Sequence, residues 1–392
     1  MTDTSQRPEP IRTDASNAFA NNTMRVRIPA IIREIQALNP DLPAPMIASL
    51  DRLHDEIAGN AVIRPLSLPA PDYDDWAEAY HKHAGERWHE TYWFFAETYT
   101  YRLIIEAVRW WETHRDPFAP KKDEELRSDK LWSTLETGLS LRSLPVEQRL
   151  PALIVDALWG NRIDLSFAPA LAHGAHWSDD DLLVGDQDAA AEWLLRHRGT
   201  VHIIHDNAGT ELAMDLVLAD TLLDGVADQV VLHLKMHPTF VSDATVHDVW
   251  HFLNLLQSGQ HGNAARALAD RLSDAFVAGR LRFAPDLFWN SSRFLWELPP
   301  RLDNLLRNAC LVIVKGDANY RRAVGDAIWP YTTPMSRVMA GFPAPLLFLR
   351  TLKSDPIAGL AEGQGERLDQ LDDQWRVNGR RGIIQASWIE AE

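Results

Sequence analysis

The sequence predicts an α/β protein: a mostly parallel, helix-flanked sheet preceded by a helical N-terminal region. Three observations carry that expectation. After residue 200, short apolar runs of strand length alternate with amphipathic runs of helix length, the pattern of a parallel sheet covered by helices. Between Pro29 and Leu150 the apolar positions recur at helical spacing and no stretch reads as a strand. At 392 residues the chain is also long for one core, so a large unit with a second beside it is expected. The expected divisions are a flexible tail over 1–25, a helical region over 26–150 and an α/β domain over 151–392.

Composition narrows the function classes. Hydrophobic residues at 46% and charged residues at 24% are ordinary for a globular chain. A net charge of -16 argues against nucleic acid, whose phosphates need clustered Lys and Arg. It leaves room for a small phosphorylated ligand, which a few local cations can hold. The one cysteine, Cys310, lies in the apolar run ACLVIV and is expected as a buried packing residue. It can form no internal disulfide, which suits a reducing cytoplasm. The first 25 residues lack the apolar core of a signal peptide, and no apolar run reaches the roughly 18 residues of a membrane span, so no membrane partner is expected.

In chain order, Ile31, Ile32, Ile35 and Leu38 mark one helix, and Met46, Leu50, Leu53 and Ile57 a second. Pro65, Pro69 and Pro71 mark breaks. The run from Trp88 to Trp111 is apolar on most sides and predicts a long buried helix, its aromatics serving as core. Leu158 to Ser166, LWGNRIDLS, reads as a polar turn containing Asn161 and Asp164. A helix over Asp186–Arg198 leads into a strand over Val201–His205, a loop Asp206-Asn207-Ala208-Gly209, and a helix from Thr210. Further strands are expected at Val230–Leu234, Leu311–Val314, Leu346–Leu349 and Ile383–Ser387, with helices at Val249–Leu256 and Ala264–Phe276.

Polar clusters sit where the strands end. Asp206-Asn207 follows the first strand, and KMHPTFVSDATVHD, with Asp243, follows the second. KGDANYRRAVGD, with Lys315, Asp317, Asn319 and Arg321, follows the third, and Arg350-Thr351-Leu352-Lys353 follows PLLFL. In a parallel sheet all four converge on one edge, where ligands of open α/β sheets bind. Asp206, Asn207 and Asp243 offer carboxylate and amide oxygens without a thiolate, a set suited to Mg²⁺, Mn²⁺ or a similar hard cation. Arg321, Arg350 and Lys353 supply the charge that clamps phosphate oxygens. A cation that activates water beside such a clamp is what phosphoryl-group hydrolysis needs. By contrast, His202, His205 and His233 alternate with apolar residues and suit packing or hydrogen-bonded roles. His247 and His251 lack the adjoining glutamate of a zinc protease.

The segments WFFAETYTYR, LWGNRIDLS, IIHDNAGTELAMDLVLAD, PTFVSDAT, KGDANYRRAVGD and RTLK, in this order, resemble the metal-dependent damage-control phosphatases. Within that family they are similar to the subfamily with an Arg-Thr-x-Lys motif, which includes sugar-phosphate phosphatases and proteins called acidic-residue methyltransferases. The resemblance runs from about Trp88 to the C-terminus. It implies a helical N-terminal domain on a Rossmann-like α/β/α core. It also implies a divalent cation (Mn²⁺, Co²⁺, Ni²⁺ or Mg²⁺) on Asp206, Asn207 and Asp243. On the phosphate and sugar side it implies Asp317, Asn319, Tyr320, Arg321 and Lys353. Glu211 matches the position linked to a proposed S-adenosylmethionine site, and Asn161 and Asp164 match a polar pair near the active site. Ala318 departs from the larger aliphatic residue common there, and the region before Trp88 matches loosely.

The leading expectation is a metal-dependent phosphatase acting on phosphomonoesters of small metabolites, with sugar phosphates such as fructose 1-phosphate in a damage-control role. Asp206, Asn207, Asp243, Asp317 and Lys353 would form the catalytic set. Asn161, Asp164, Glu211, Asn319, Tyr320, Arg321 and Arg350 would join Lys353 at the substrate. Asp317 would serve as general acid/base or as an orienting group. One alternative is an S-adenosylmethionine-dependent protein carboxyl (glutamate) O-methyltransferase, for which the lone Gly209 makes a poor nucleotide turn. Another is a non-catalytic sensor of a phosphorylated ligand, against which the complete Asp206, Asn207, Asp243 set argues.

Overall fold

The computed structural model describes residues 7–160 and 181–388. Its sheet has seven strands: β1 (Leu182–Gly185), β2 (Thr200–Ile204), β3 (Gln229–His233), β4 (Leu281–Phe283), β5 (Ala309–Lys315), β6 (Leu346–Thr351) and β7 (Gly382–Ser387). They lie in the order β1-β7-β6-β5-β2-β3-β4. All neighbours pair in parallel except β6 and β7, so the closing strand runs against β6, β5, β2, β3 and β4.

Alternation along the strands builds a core on each face. Leu311, Ile313, Leu347 and Leu349 face one apolar cluster, and Val312, Val314, Leu346 and Phe348 face the other. The first face is covered by α6 (Asp129–Ser140), α7 (Val146–Trp159), α8 (Gln187–Arg196), α9 (Thr210–Leu223), α10 (Val246–Gln257) and α11 (Gly262–Val277). The second is covered by α12 (Pro300–Leu306), α13 (Asp317–Val324) and α14 (Gln364–Leu371). The result is the expected α/β/α sandwich. Upstream, α1 (Ile28–Leu38), α2 (Ala44–Ala58), α3 (Tyr73–His81) and α4 (Trp93–Ala107) gather around a third cluster that extends from Ile11 to Phe118. The helix α5 (Ala119–Leu126) joins the two parts.

Several expectations are corrected. The stretch read as a flexible tail is packed from Pro10 onward: Ile11, Thr13, Ala20 and Met24 are buried, and Pro10 pairs with Ala327. The helix read over Trp88–Trp111 spans only Trp93–Ala107. Residues 88–91 form a turn and a bend, Tyr92 is extended in its pairing with Arg12, and Arg109 at φ +50 ends the helical run. Cys310 is half-buried rather than buried: it lies at the start of β5, at a register shift against β2, and packs on the rim of the first core cluster. Strands β1 and β4 and helix α5 were not anticipated; four- and three-residue strands are too short to display a period. Leu158 and Trp159 finish α7, and Asn161 and Asp164 lie outside the described residues.

The chain runs outward from β2 through β3 to β4, then returns to place β5 on the other side of β2. The crevice at this reversal is where open α/β sheets bind ligands. The carboxyl ends of β2, β3, β5 and β6 all open onto that edge. No helix among the described residues is long and apolar enough to cross a membrane.

Candidate active site

Two loops bring the oxygen donors together. The loop after β2 carries Asp206 and Asn207, and the loop after β3 carries Asp243; Asn207 and Asp243 form a backbone bridge. Ala244 donates its N–H to the Asp206 carbonyl (2.7 Å), and Ala208 donates to the Ser242 carbonyl (2.7 Å). The Ser242 hydroxyl donates to Asn207 Oδ1 (2.6 Å), and Asn207 Nδ2 donates to Asp206 Oδ2 (2.9 Å). The approach to Asp243 is strained, with Phe240 at φ +47 and Val241 at φ +71; the left-handed region is unusual above all for a β-branched residue. Tyr101 of α4 packs on Phe240 with ring centroids 4.9 Å apart.

The ends of β3 and β5 close the other side. Gly316, at φ +83, lies so close to Asp206 that a Cβ there would overlap its carboxyl group. Asn319 donates from Nδ2 to the carbonyls of His205 and Lys315 (both 2.9 Å), tying β2 to β5. Lys235 is buried beneath the cluster, its ammonium 3.3 Å from Asp243 Oδ2 and donating to the Trp289 carbonyl (3.0 Å) and Asn319 Oδ1 (3.3 Å). Burial pushes the Asp206 carboxyl well above its ordinary value, and the Asp243 and Glu211 carboxylates push it further against the opposing pull of Lys353 and Lys235. Burial likewise brings Asp243 to about 6, against the pull of Lys235. Glu211 is buried in the first turn of α9.

Asp317 sits at the start of α13. Its Oδ1 accepts from Arg350 Nε (2.8 Å) and from the Lys353 N–H (3.0 Å). Burial would raise this carboxyl, but Arg350 and then Arg321 outweigh it and hold the group below its ordinary range. Lys353 is exposed, and among the described residues its ammonium has no hydrogen bond or ion pair.

Three residues expected on the substrate side are placed elsewhere. Tyr320 is in the core against Phe348, its hydroxyl accepting from the Ala358 N–H (3.2 Å). Arg321 is buried between Asp326 (2.7 Å) and Glu97 of α4 (2.5 Å). Arg350 is buried and holds the Ser354 carbonyl (2.9 Å) as well as Asp317. Lys315 turns beneath the sheet edge to Asp215 (2.7 Å), which also faces His205 Nδ1 (3.1 Å). His202 and His233 bond each other (2.8 Å), so these histidines fill the hydrogen-bonded roles expected of them.

Two contributors escaped the sequence reading. Lys235 stood in the quoted KMHP segment, directly after a strand, and that position was its only signal. Glu125 of α5 reaches the loop after β2: its Oε1 accepts from the Thr210 N–H (2.8 Å), and a Cβ on Gly209 would overlap its carboxyl. No local pattern reveals a contact across 85 residues.

Among the described residues, no three His, Cys, Asp or Glu side chains form a ready metal cage. The donor set nonetheless fits a hard cation. It comprises two carboxylates and an amide, stands beside the repelling Glu211 carboxylate, and offers hard oxygens with Asp243 Oδ2 facing the Lys235 ammonium at 3.3 Å.

The family model for the damage-control phosphatase ARMT1-like domain matches residues 19–368. The mouse damage-control phosphatase ARMT1 is 31% identical over 377 residues, covering 86% of both chains. The bovine protein of that name is 30% identical, again over 86% of both, and the zebrafish one is 28% identical over 97% of both. Among solved structures, a DUF89 family protein from Pyrococcus horikoshii aligns with 92% of this chain and 97% of its own, at 14% identity and a TM-score of 0.47.

Proposed function

The chain belongs to the damage-control phosphatase ARMT1-like family, and from that premise we propose that it is a divalent-cation-dependent phosphatase of small-metabolite phosphomonoesters, sugar phosphates such as fructose 1-phosphate being the substrate class. The observation that carries this reading is the Asn207–Asp243 bridge, which gathers Asp206, Asn207 and Asp243 at the switch point of the sheet. These three would hold the cation (Mn²⁺, Co²⁺, Ni²⁺ or Mg²⁺), which when bound supplies Lewis acidity to a phosphoryl oxygen and to a water.

The rest of the work falls to the chain's own residues. Lys353, near enough for its charge to pull on the Asp206 carboxyl, would supply counter-charge to a phosphate. Asp317 stays ionised and fixes the Lys353 backbone, which favours an orienting role over that of a general acid. Arg350 and Arg321 act one step back, by holding Asp317 and α13. Lys235 offsets the charge of Asp243 from below. The turn before α9 bears on the methyltransferase alternative. A Rossmann cofactor takes its place at the glycine-rich turn and helix start, and here Glu125 fills that position.

The test is phosphate release from a panel of sugar phosphates and an aryl phosphate, with EDTA, Mg²⁺, Mn²⁺, Co²⁺ or Ni²⁺, for wild type and Asp206→Ala. Release that requires a cation, and that falls in the variant by more than the roughly 100-fold cost of an outer-shell change, is expected. Undiminished release by folded Asp206→Ala at saturating Mn²⁺ would refute the assignment.

A further inference from the structure

Helix α5 lies outside every motif of the sequence, yet one face of it touches the first turns of α9 and α10, the helices that follow the two loops carrying the proposed cation ligands. Lys122 and Glu125 are three residues apart and so share that face. Glu125 Oε1 accepts from the Thr210 N–H (2.8 Å), three residues beyond Asn207. Gly209, at φ +73, has no side chain, and this lets the carboxylate approach. Lys122 reaches the first turn of α10, directly after the other loop. Its ammonium lies 2.8 Å from Asp248 Oδ2 and 2.9 Å from Asp116 Oδ2. That same Asp248 oxygen accepts from the N–H (2.8 Å) and the hydroxyl (2.7 Å) of Thr245, two residues beyond Asp243. Burial opposes the Lys122 charge, but Asp248 and Asp116 outweigh it and hold the ammonium above its ordinary value.

We infer that α5 is a two-pronged brace for the cation site, with Glu125 setting the Asp206–Asn207 loop and Lys122, through Asp248 and Thr245, setting the Asp243 loop. Both are positioning residues; neither touches the donor oxygens. The two anchors sit on one rigid helix, so the spacing between Asn207 and Asp243 is fixed from outside as well as by their own bridge. This inference rests on the proposed cation site.

The first measurement is Mn²⁺ affinity of the purified full chain, by titration with electron paramagnetic resonance detection, together with thermal melts. Variants are Glu125→Gln, Lys122→Met, Lys122→Arg and Glu124→Gln, the last removing an exposed charge from the same helix. Glu125→Gln and Lys122→Met are expected to weaken Mn²⁺ binding by roughly 10-fold or more, as loss of outer-shell partners does. At saturating Mn²⁺ their KM should stay within about twofold of wild type while kcat falls, since the substrate side is untouched. Lys122→Arg keeps the ion pair and should recover affinity, and Glu124→Gln should match wild type. Wild-type affinity in folded Glu125→Gln overturns the brace, and this isosteric variant decides the matter should Lys122→Met not fold. An equal loss in Glu124→Gln also overturns it, by making the effect one of helix charge alone. Wild-type protein that binds no Mn²⁺ refutes the cation site itself, a result distinct from either.

Discussion

Asp156, near the end of α7, carries a cost that pH exposes. It is buried, no described residue bonds its carboxyl group, and burial alone lifts it from 3.8 to about 7. The native state therefore binds the proton more tightly than the unfolded chain does. Stability is greatest below the unfolded value and falls as pH climbs from about 4 to about 7, at about 1.4 kcal/mol per pH unit through the window. Asp156→Asn lacks that dependence. Its Tm should match wild type near pH 4, exceed it by several degrees at pH 8, and the gap should stop widening above about pH 7. A gap that is flat with pH would show that the carboxyl is solvated. The same scale explains what the sequence could disclose. Asp206 and Asn207 were legible as oxygen donors because they directly follow an apolar strand, and Asp243 because it lies in the polar loop after the next one. Tyr320, Arg321 and Arg350 were legible only as polar residues near the site, since composition cannot distinguish a phosphate clamp from a buried ion pair. Their partners, Glu97 and Asp317 among them, lie up to 224 residues away.

At the scale of elements, α4 shows how a helix buried along its whole length accommodates charge. Glu97, Arg102 and Glu106 are all inside, and each is paired. Glu97 meets Arg321, Arg102 holds Asp72 in a two-bond fork (2.6 and 2.9 Å), and Glu106 accepts from the Ser67 and Leu68 N–H groups. Asp72 would be raised by burial, but His237 and Arg102 bring it down to about 2. Helical period and aromatic density revealed that this helix is buried. They could not reveal its ends, which the Arg12–Tyr92 pairing and Arg109 decide. The link from α4 to α13 is Arg321, which also lies 3.5 Å over the Trp93 ring. Arg321→Met strands Glu97 and Asp326 as uncompensated buried charges and should cost about 3–5 kcal/mol in urea unfolding. Adding Glu97→Gln and Asp326→Asn should return most of that loss, because a neutral, well-packed site avoids the desolvation penalty. A single variant that costs under about 1 kcal/mol would show Arg321 to be a surface-like pair.

Across the whole molecule, the helical region and the α/β core share a boundary that takes in the active-site loops and the starts of the helices around them. Tyr101 packs on Phe240, Asp72 faces His237 (3.7 Å), Glu97 meets Arg321, Lys122 holds Asp248 and Glu125 caps α9. The alternation of strands and helices announced the sandwich, and helical spacing announced the region before it. The contacts joining them, side chains such as Arg321 and the Pro10–Ala327 backbone bridge, span long separations, which no periodicity records. Since those contacts meet the loop after β3, the first turns of α9 and α10, and α13, a ligand of the loops should stabilise both parts at once. Hydrogen exchange should then show α4 and β5 opening together, with equal free energies and equal urea dependence. Mn²⁺ at 100 times its Kd should raise both by about 2.7 kcal/mol, although α4 supplies no donor to the ion. If the cation protects β2, β3 and β5 and leaves α4 unchanged, the helical region is a separately folding cover. In that case its buried charges stabilise only their own helices, and the geometry of the cation loops is set within the sheet.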